Sequence, residues 1–375
     1  ARIYSFGRFG NNIVLTPGGQ TGVYNWAGDN TVAPILIANA PTAVNYVFVT
    51  NNIIVTLGAS GNGNRIKWCD IADATDWIPT SVNQAGEVEI SSAGEFISHA
   101  EVSRTNILFT ANNVFTFRYI GFPDIFETQD TGANDGIIAQ NARVVVNNIC
   151  YWMGNKDFYM YNGGVIQSIP SNAANRLNYI RKFVFGELNE SQKGKSFAWF
   201  NRDFNEIWFH YPSTNSNECD KVVRFNINEL HWTLDTIDRT TAENPDYATS
   251  NPYMVDISNN IRKHELGVND GTSALSWSLE GPFFQFGNTE MMLDGVIPDS
   301  TQTGDISVSI TTRRLIQSSG LDQVNTTTVT PTSEYAKSSL PISGRNWKFS
   351  WHSDTLGGDW IMGDWYQIIK RDTPK

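Results

Sequence analysis

A chain of 375 residues is long enough for one large all-β unit or two to three ordinary domains, and it can bury a sizeable core without disulfides or metals. Lys and Arg number 27 against 38 Asp and Glu, a net charge of −11, which argues against a duplex-binding surface built on clustered cations while leaving room for a passage through which DNA slides without sticking. The 38 Asn and 30 Gly supply turns, and 21 Phe, 13 Tyr and 12 Trp supply strands, so the composition reads all-β.

In chain order, one phrase recurs: an Asn, two to four apolar residues often closing on Thr, a Gly/Asn turn, and an aromatic-rich strand. It runs from Asn12 to Thr16 and then Val23 to Trp26, from Asn52 to Thr56 and then Arg65 to Trp68, and from Asn106 to Thr110 and then Val114 to Phe117. It returns from Asn148 to Tyr151 and then Phe158 to Tyr161, and from Asn205 through Phe209 and then Val222 to Phe225. A sixth, degenerate copy holds Tyr253 to Asp256, the pair Asn259-Asn260, and Ile261 onward. The starts at 12, 52, 106, 148, 205 and about 252 stand 40, 54, 42, 57 and 47 residues apart, the period of a four-stranded propeller blade. Innermost strands are expected at Tyr46 to Val49, Ile97 to Val102 and Arg143 to Val146, and polar outer strands at Gly86 to Ile90 and Val165 to Ser168. A two-sheet sandwich also accommodates short alternating strands, but six near-regular units fit poorly in one.

Between the fourth and fifth units, residues 172–195 break the β pattern. Leu177, Ile180, Phe183 and Val184 have helical spacing, Ser171 is placed to cap the start, Gly186 to end the helix, and Leu188 to Ser191 to begin a second short one. This helical insertion reads as a lid on one end of the propeller. After residue 287 the composition shifts to Ser and Thr. The alternation from Asp305 to Thr311 gives a half-buried strand, and Trp347, Phe349 and Trp351 share one face of another. The expected organisation is therefore a six-bladed β-propeller over 1–287 and a C-terminal β-sandwich-like module over 288–375.

Chemistry is sparse. Cys69, Cys150 and Cys219 have no CxxC spacing, and Cys150 lies in an apolar run, so neither a disulfide framework nor a zinc site is indicated. His99, His210, His231, His264 and His352 are scattered and form no HExxH, and Gly-x-Ser-x-Gly is missing. Gly58 to Gly63 is Gly-rich, but no helix follows to cradle a phosphate, so it reads as a hairpin loop. Asp70, Asp73, Asp76, Asp124, Asp135, Asp157 and Glu218 lie at turns where one face could gather a glycosidase pair; an Asp at a turn otherwise serves its own backbone hydrogen bonds. Asn134-Asp135-Gly136 and Asn269-Asp270-Gly271 carry too few oxygen ligands for a calcium loop. Trp68, Trp152 and Trp208, inside apolar strands, are expected to fill the wedges between blades. Trp360 and Trp365, beside Gly-Asp turns, are the better candidates for an interface. No catalytic, cofactor-binding or metal-ligating residue is assigned. No apolar stretch reaches the roughly 18 residues of a membrane span. The sequence starts on Ala rather than Met, which leaves open a segment ahead of it.

Four passages together resemble a family of tailed-bacteriophage virion proteins: Tyr4 to Leu15 closing on Tyr24-Asn25-Trp26, Arg65 to Trp77, Tyr151 to Gly154 with Phe158 to Gly164, and Gly357 to Trp360 with Gly363 to Trp365. The pattern is similar to podophage tail nozzles, also called tail tubular protein B or tail-hub stabilisation proteins, and extends loosely over nearly the whole chain. The resemblance implies a propeller with an attached β platform and a structural, non-enzymatic role without cofactors. It implies a hexameric ring in the virion tail that contacts adaptor and portal-side proteins, binds tail fibres or a needle, and lines the DNA-ejection conduit without binding DNA specifically. This chain is shorter than many nozzles. The alternatives are a receptor- or carbohydrate-binding propeller using exposed Trp and Asp, and a propeller glycosidase.

Overall fold

The computed structural model describes residues 3–19, 21–170, 176–244, 251–285, 290–313, 322–330 and 337–371. Contacts divide the chain into two units, Ala1–Glu265 and Leu266–Lys375.

The first unit is a six-bladed β-propeller, each blade an antiparallel meander whose strands pair in sequence order. Blade one holds Ser5–Phe9, Asn12–Thr16, Tyr24–Trp26 and Ile35–Leu36. Blade two holds Tyr46–Thr50, Ile53–Leu57, Arg65–Trp68 and Gly86–Glu89. Blade three holds Phe96–Val102, Thr105–Thr110, Val114–Tyr119 and Phe126–Asp130. Blade four holds Arg143–Val146, Ile149–Met153, Phe158–Tyr161 and Gln167–Ser168. Blade five holds Phe197–Asn201, Glu206–Tyr211, Lys221–Asn226 and Trp232–Thr236. The sixth has three described strands, Thr241–Glu243, Tyr253–Val255 and Ile261–Lys263. From blade one through blade six, each first strand contacts the first strand of the following blade, which makes these the innermost strands, as expected at residues 46, 97 and 143.

The recurring Asn has a backbone cause. The first and second strands of blades two and four are joined by two-residue turns, Asn51-Asn52 and Asn147-Asn148, with φ of 48°, 59°, 48° and 65°. Such a turn requires positive φ at both residues to match the strand twist, and Asn tolerates that better than other residues with a Cβ. In blade three the equivalent turn is Ser103-Arg104 (φ 49° and 65°), so Asn106 is not the turn residue but sits inside the second strand, fully buried. Its amide donates to the Phe117 carbonyl at 3.1 Å and to Thr50 Oγ1 of blade two at 3.3 Å, while its Oδ1 faces His99 Nε2 at 2.9 Å. Arg104→Gly removes the left-handed strain of a residue with a long side chain. It is expected to stabilise the fold by ~1 kcal/mol, read as a higher urea midpoint at unchanged slope.

Alternating apolar residues fill the spaces between blades. Trp68 packs edge-on against Phe126 (5.2 Å) and Phe117 (6.0 Å) of blade three, Trp152 against Phe109 of blade three (5.2 Å), and Trp208 clusters with Met254 of blade six. All three indoles thus fill wedges, the role their apolar strands predict. Near the axis, side chains tie blades that are distant in sequence. Val47 N donates to Ser5 Oγ (2.8 Å), Arg143 donates from Nη2 to the Tyr46 hydroxyl (2.7 Å) and from Nε to Ser98 Oγ (2.9 Å), and Gln140 Nε2 reaches the Tyr4 carbonyl (3.3 Å).

The insertion between blades four and five is one helix, Arg176–Glu187, followed by a single 3-10 turn, Lys193–Lys195. Ile180 and Val184 bury against the core, Phe183 is partly exposed, and the helix runs through Gly186 rather than ending there. The capping role of Ser171 and the side chain of Leu177 lie outside the described residues. No second helix starts at Leu188, because Asn189 Oδ1 accepts from both Ser191 N (3.1 Å) and Ser191 Oγ (2.7 Å) and closes a local turn instead.

The second unit begins before the composition shift. The expected boundary at 287/288 gives way to one after Glu265, because Trp277–Glu280 and Phe284–Gln285 pair antiparallel with Asn346–Ser353 and so belong to the C-terminal sheet. That sheet also contains Ile306–Arg313, whose alternation buries Ile306, Val308, Ile310 and Thr312, and the edge strand Gln323–Val329. A second sheet, Ser338–Gly344, Met291–Ile297 and Tyr366–Arg371, supplies Leu293, Val296, Leu340 and Ile342 to the same core, beside Trp347 and Phe349. Two two-stranded ribbons, Asn269–Asp270 with Ser273–Ala274 and Ser300–Thr303 with Asp359–Met362, also belong to the unit.

Candidate functional site

The direction of each meander sorts the seven candidate carboxylates. Turns between strands one and two, and between three and four, project from one end of the propeller. Turns between two and three, and the connections to the next blade, project from the other. Asp70, Asp73, Asp76 and Asp124 lie in strand three-to-four turns, whereas Asp157 and Glu218 lie in strand two-to-three turns and Asp135 in a connection between blades. No single end gathers them.

Each of these groups on the first end except Asp124 has a described turn partner. Asp70 Oδ1 accepts from Gln84 N at 2.7 Å, and Asp76 from Ile78 N at 3.3 Å and Asn83 Nδ2 at 2.8 Å. Asp73 Oδ1 accepts from Thr75 N and Thr75 Oγ1, both at 2.8 Å, and these bonds hold its carboxyl below the ordinary range. Asp29 makes the same pair of bonds to Thr31, so Asp-x-Thr closes the outer turn in blades one and two. The spacing was there to read in the sequence, but the motif shares no apolar pattern with the strand repeat that draws the eye.

The densest polar cluster lies at the opposite end, on blade four. Asp135, almost buried, accepts from Asn155 N (3.1 Å), Lys156 N (3.2 Å), Asn155 Nδ2 (3.1 Å) and the Tyr159 hydroxyl (3.1 Å). Asp157 accepts from Phe158 N (2.7 Å) and Ser168 Oγ (2.6 Å) and pairs with Arg181 of the helix. Lys193 Nζ reaches Asn155 Oδ1 at 3.4 Å. Burial, then the charge of Asp135, pushes the Tyr159 phenol up, so it stays a donor. Every carboxylate here faces N–H or O–H donors that belong to the fold. The cluster anchors the turn 154–157 and the helix rather than presenting an open acid and base. Glu218 is held by Lys195 at 2.5 Å.

The remaining candidates are also structural. Burial pushes the thiols of Cys69, Cys150 and Cys219 up to about 12, which keeps them protonated. His99 stacks on Phe48 at 3.7 Å and His210 on Phe197 at 4.4 Å. His231 lies 3.0 Å from Glu229, His264 Nε2 accepts from Arg239 Nε at 2.9 Å, and His352 Nδ1 lies 2.9 Å from the Trp277 carbonyl. Among the described residues no group of three or more His, Cys, Asp or Glu is placed to hold a metal ion, and no helix is long and apolar enough to cross a membrane. Gly58 to Gly63 forms the hairpin loop between the second and third strands of blade two. In the C-terminal unit Trp360 stacks on Trp277 at 4.0 Å and Trp365 meets Trp351 edge-on at 5.9 Å; both pack half-buried against its core rather than standing free.

No protein-family model matches the sequence, and no curated protein matches it. Among solved structures, streptogramin B lyase aligns over 71% of this chain and 83% of its own at 10% identity and a TM-score of 0.40. The WD40 domain of Neurospora crassa Pan2 aligns over 71% and 75% at 9% identity and a TM-score of 0.42. At these scores the lyase and the WD40 domain assign no activity to this chain.

Proposed function

We propose that this protein is a non-enzymatic structural component of a bacteriophage tail, assembling as a ring that forms part of the DNA-ejection conduit and anchors neighbouring tail proteins. The observation that carries the reading is the fate of the candidate acids: they are split between opposite ends of the propeller, and six of the seven are engaged by turn donors or lysine. Such a scaffold suits rigid assembly better than proton transfer. The net charge of −11 supports the conduit role, because a wall of like charge to DNA avoids the multi-phosphate contacts that would hold a genome back. Subunit contacts in such a conduit are extensive and obligate, since it must stay closed during ejection.

Immunogold labelling of particles from the producing culture tests this. Gold at the tail tip or neck is the expected result. Gold on projecting fibres moves the protein to receptor binding, and label confined to cells or soluble material rejects the virion role.

A further inference from the structure

The two ends of the propeller differ in what they expose. In blades one to five, the turns between strands one and two and between three and four present Val32, Ile78, Val82, Phe122, Val165 and Phe204, which are 51%, 68%, 91%, 66%, 72% and 54% exposed. At the other end, the described strand two-to-three turns of the same blades expose no large apolar side chain; the exposed ones there are Tyr4 and Leu36 of blade one and Tyr179 and Phe183 of the inserted helix, which do not recur from blade to blade. Isolated exposed apolar residues are ordinary, but their recurrence on one end of five successive blades is not.

The tips are held, not loose. Trp77 is 1% exposed and donates from Nε1 to the Ala74 carbonyl at 2.7 Å, pinning the turn 69–85. Asn83 Nδ2 donates to the Ile78 carbonyl and to Asp76 Oδ2, both at 2.8 Å, and Asn83 Oδ1 accepts from Thr80 N at 2.8 Å. The Tyr119 hydroxyl lies 3.1 Å from Gln84 Oε1 and so joins this turn to the blade-three turn bearing Phe122. A preorganised apolar surface loses little entropy when it is covered.

The same turns carry Asp29, Asp70, Asp73, Asp76, Asp124, Asp203 and Glu229 against two cations, Arg104 and Arg202. We infer that this end of the propeller is the docking face for another protein, whose contact surface is apolar and basic. A second copy would bring an equally acidic end to a face-to-face contact, and an anionic lipid surface would be repelled. The inference rests on the proposed assembly role and adds which end is used and what chemistry meets it.

Photo-cross-linking in the producing culture tests it, with the full chain carrying benzoylphenylalanine in place of Val82 or, as a control on the opposite end, Asn112. The Val82 probe is expected to capture a different protein at least tenfold more than the Asn112 probe, through a peptide rich in Lys or Arg beside aliphatic residues. Adding Ile78→Asp is expected to cut that yield at least tenfold, while far-ultraviolet circular dichroism stays unchanged. Capture of this chain itself, of lipid, or of acidic or purely polar peptides overturns the inference. Capture by Asn112 alone overturns the choice of end but leaves the assembly role standing. Capture by neither overturns both.

Discussion

Gly136→Ala is expected to cost about 3 kcal/mol or more, shown as a large fall in the urea midpoint followed by tryptophan fluorescence. A Cβ at this position would stand 1.9 Å from the Thr110 carbonyl oxygen and 2.7 Å from the Ala111 carbonyl carbon, both backbone atoms. That backbone cannot retreat cheaply. Ile137 N donates to the same Thr110 oxygen at 3.0 Å, Gly136 N to Ala111 O at 3.3 Å, and Trp152 Nε1 to the Gly136 carbonyl at 3.0 Å. Opening this contact therefore strains the seam between blades three and four and loosens an indole that is fully buried. Gly132→Ala is the matched control. It has φ of +73° and nothing within 4 Å of the added Cβ, so only the left-handed penalty of about 1 kcal/mol applies. Equal costs for the two substitutions would refute the close-contact account.

The position of Gly136 also shows what the sequence does and does not disclose. Its neighbour Asp135 reads as a turn carboxylate in either case, and weighing calcium ligands dismisses a metal without revealing that Asn155, Lys156 and Tyr159 converge on it from 20 or more residues away. Long-range hydrogen bonds of that kind have no period. The blade repeat, by contrast, is legible because the second strands of blades two to five are buried on both faces and so read as apolar runs, and the first turns of blades one to five adopt positive φ, constraints that act within a few residues. Asn106 misleads because a buried polar tie and a turn-forming Asn look identical two positions apart in the sequence. The domain boundary misleads for a related reason. Trp277–Glu280 has the aromatic and aliphatic character of a blade strand, and only its pairing with Asn346–Ser353 assigns it to the C-terminal sheet. The ends of the propeller were implicit all along, since antiparallel order alone puts Asp70 and Asp157 on opposite sides; the count of strands before each acid holds that information, not the acids themselves.

Acidification from pH 7 to pH 5 is expected to destabilise the propeller through two neutral imidazoles, His210 fully buried and His99 partly buried. His99 donates from Nε2 to Asn106 Oδ1, packs on Phe48 and lies near Arg143; burial is the main reason its pKa falls to about 3, with Arg143 adding to it. His210 is fully buried, neither ring nitrogen has a hydrogen-bond partner, and burial followed by Arg224, Arg239 and His264 holds its pKa well below the ordinary value. An unfolded His takes up its proton near pH 6.5 while these two resist it. Their contribution is therefore complete above that pH and is lost as pH falls below it, by up to about 1.4 kcal/mol per pH unit for each group. From pH 6.5 to pH 5 the pair thus accounts for up to about 4 kcal/mol. Glu265, whose carboxyl burial raises, titrates in the opposite sense, so the histidine contribution is read as a difference between variants. His210→Phe keeps a flat ring against Phe197 and removes two unsatisfied nitrogens. Urea midpoints at pH 7, 6 and 5 should show about half the acid sensitivity in this variant, with no loss of stability at pH 7. An unchanged pH slope would mean that His210 is hydrated or paired in solution, and the burial argument would fail at that position.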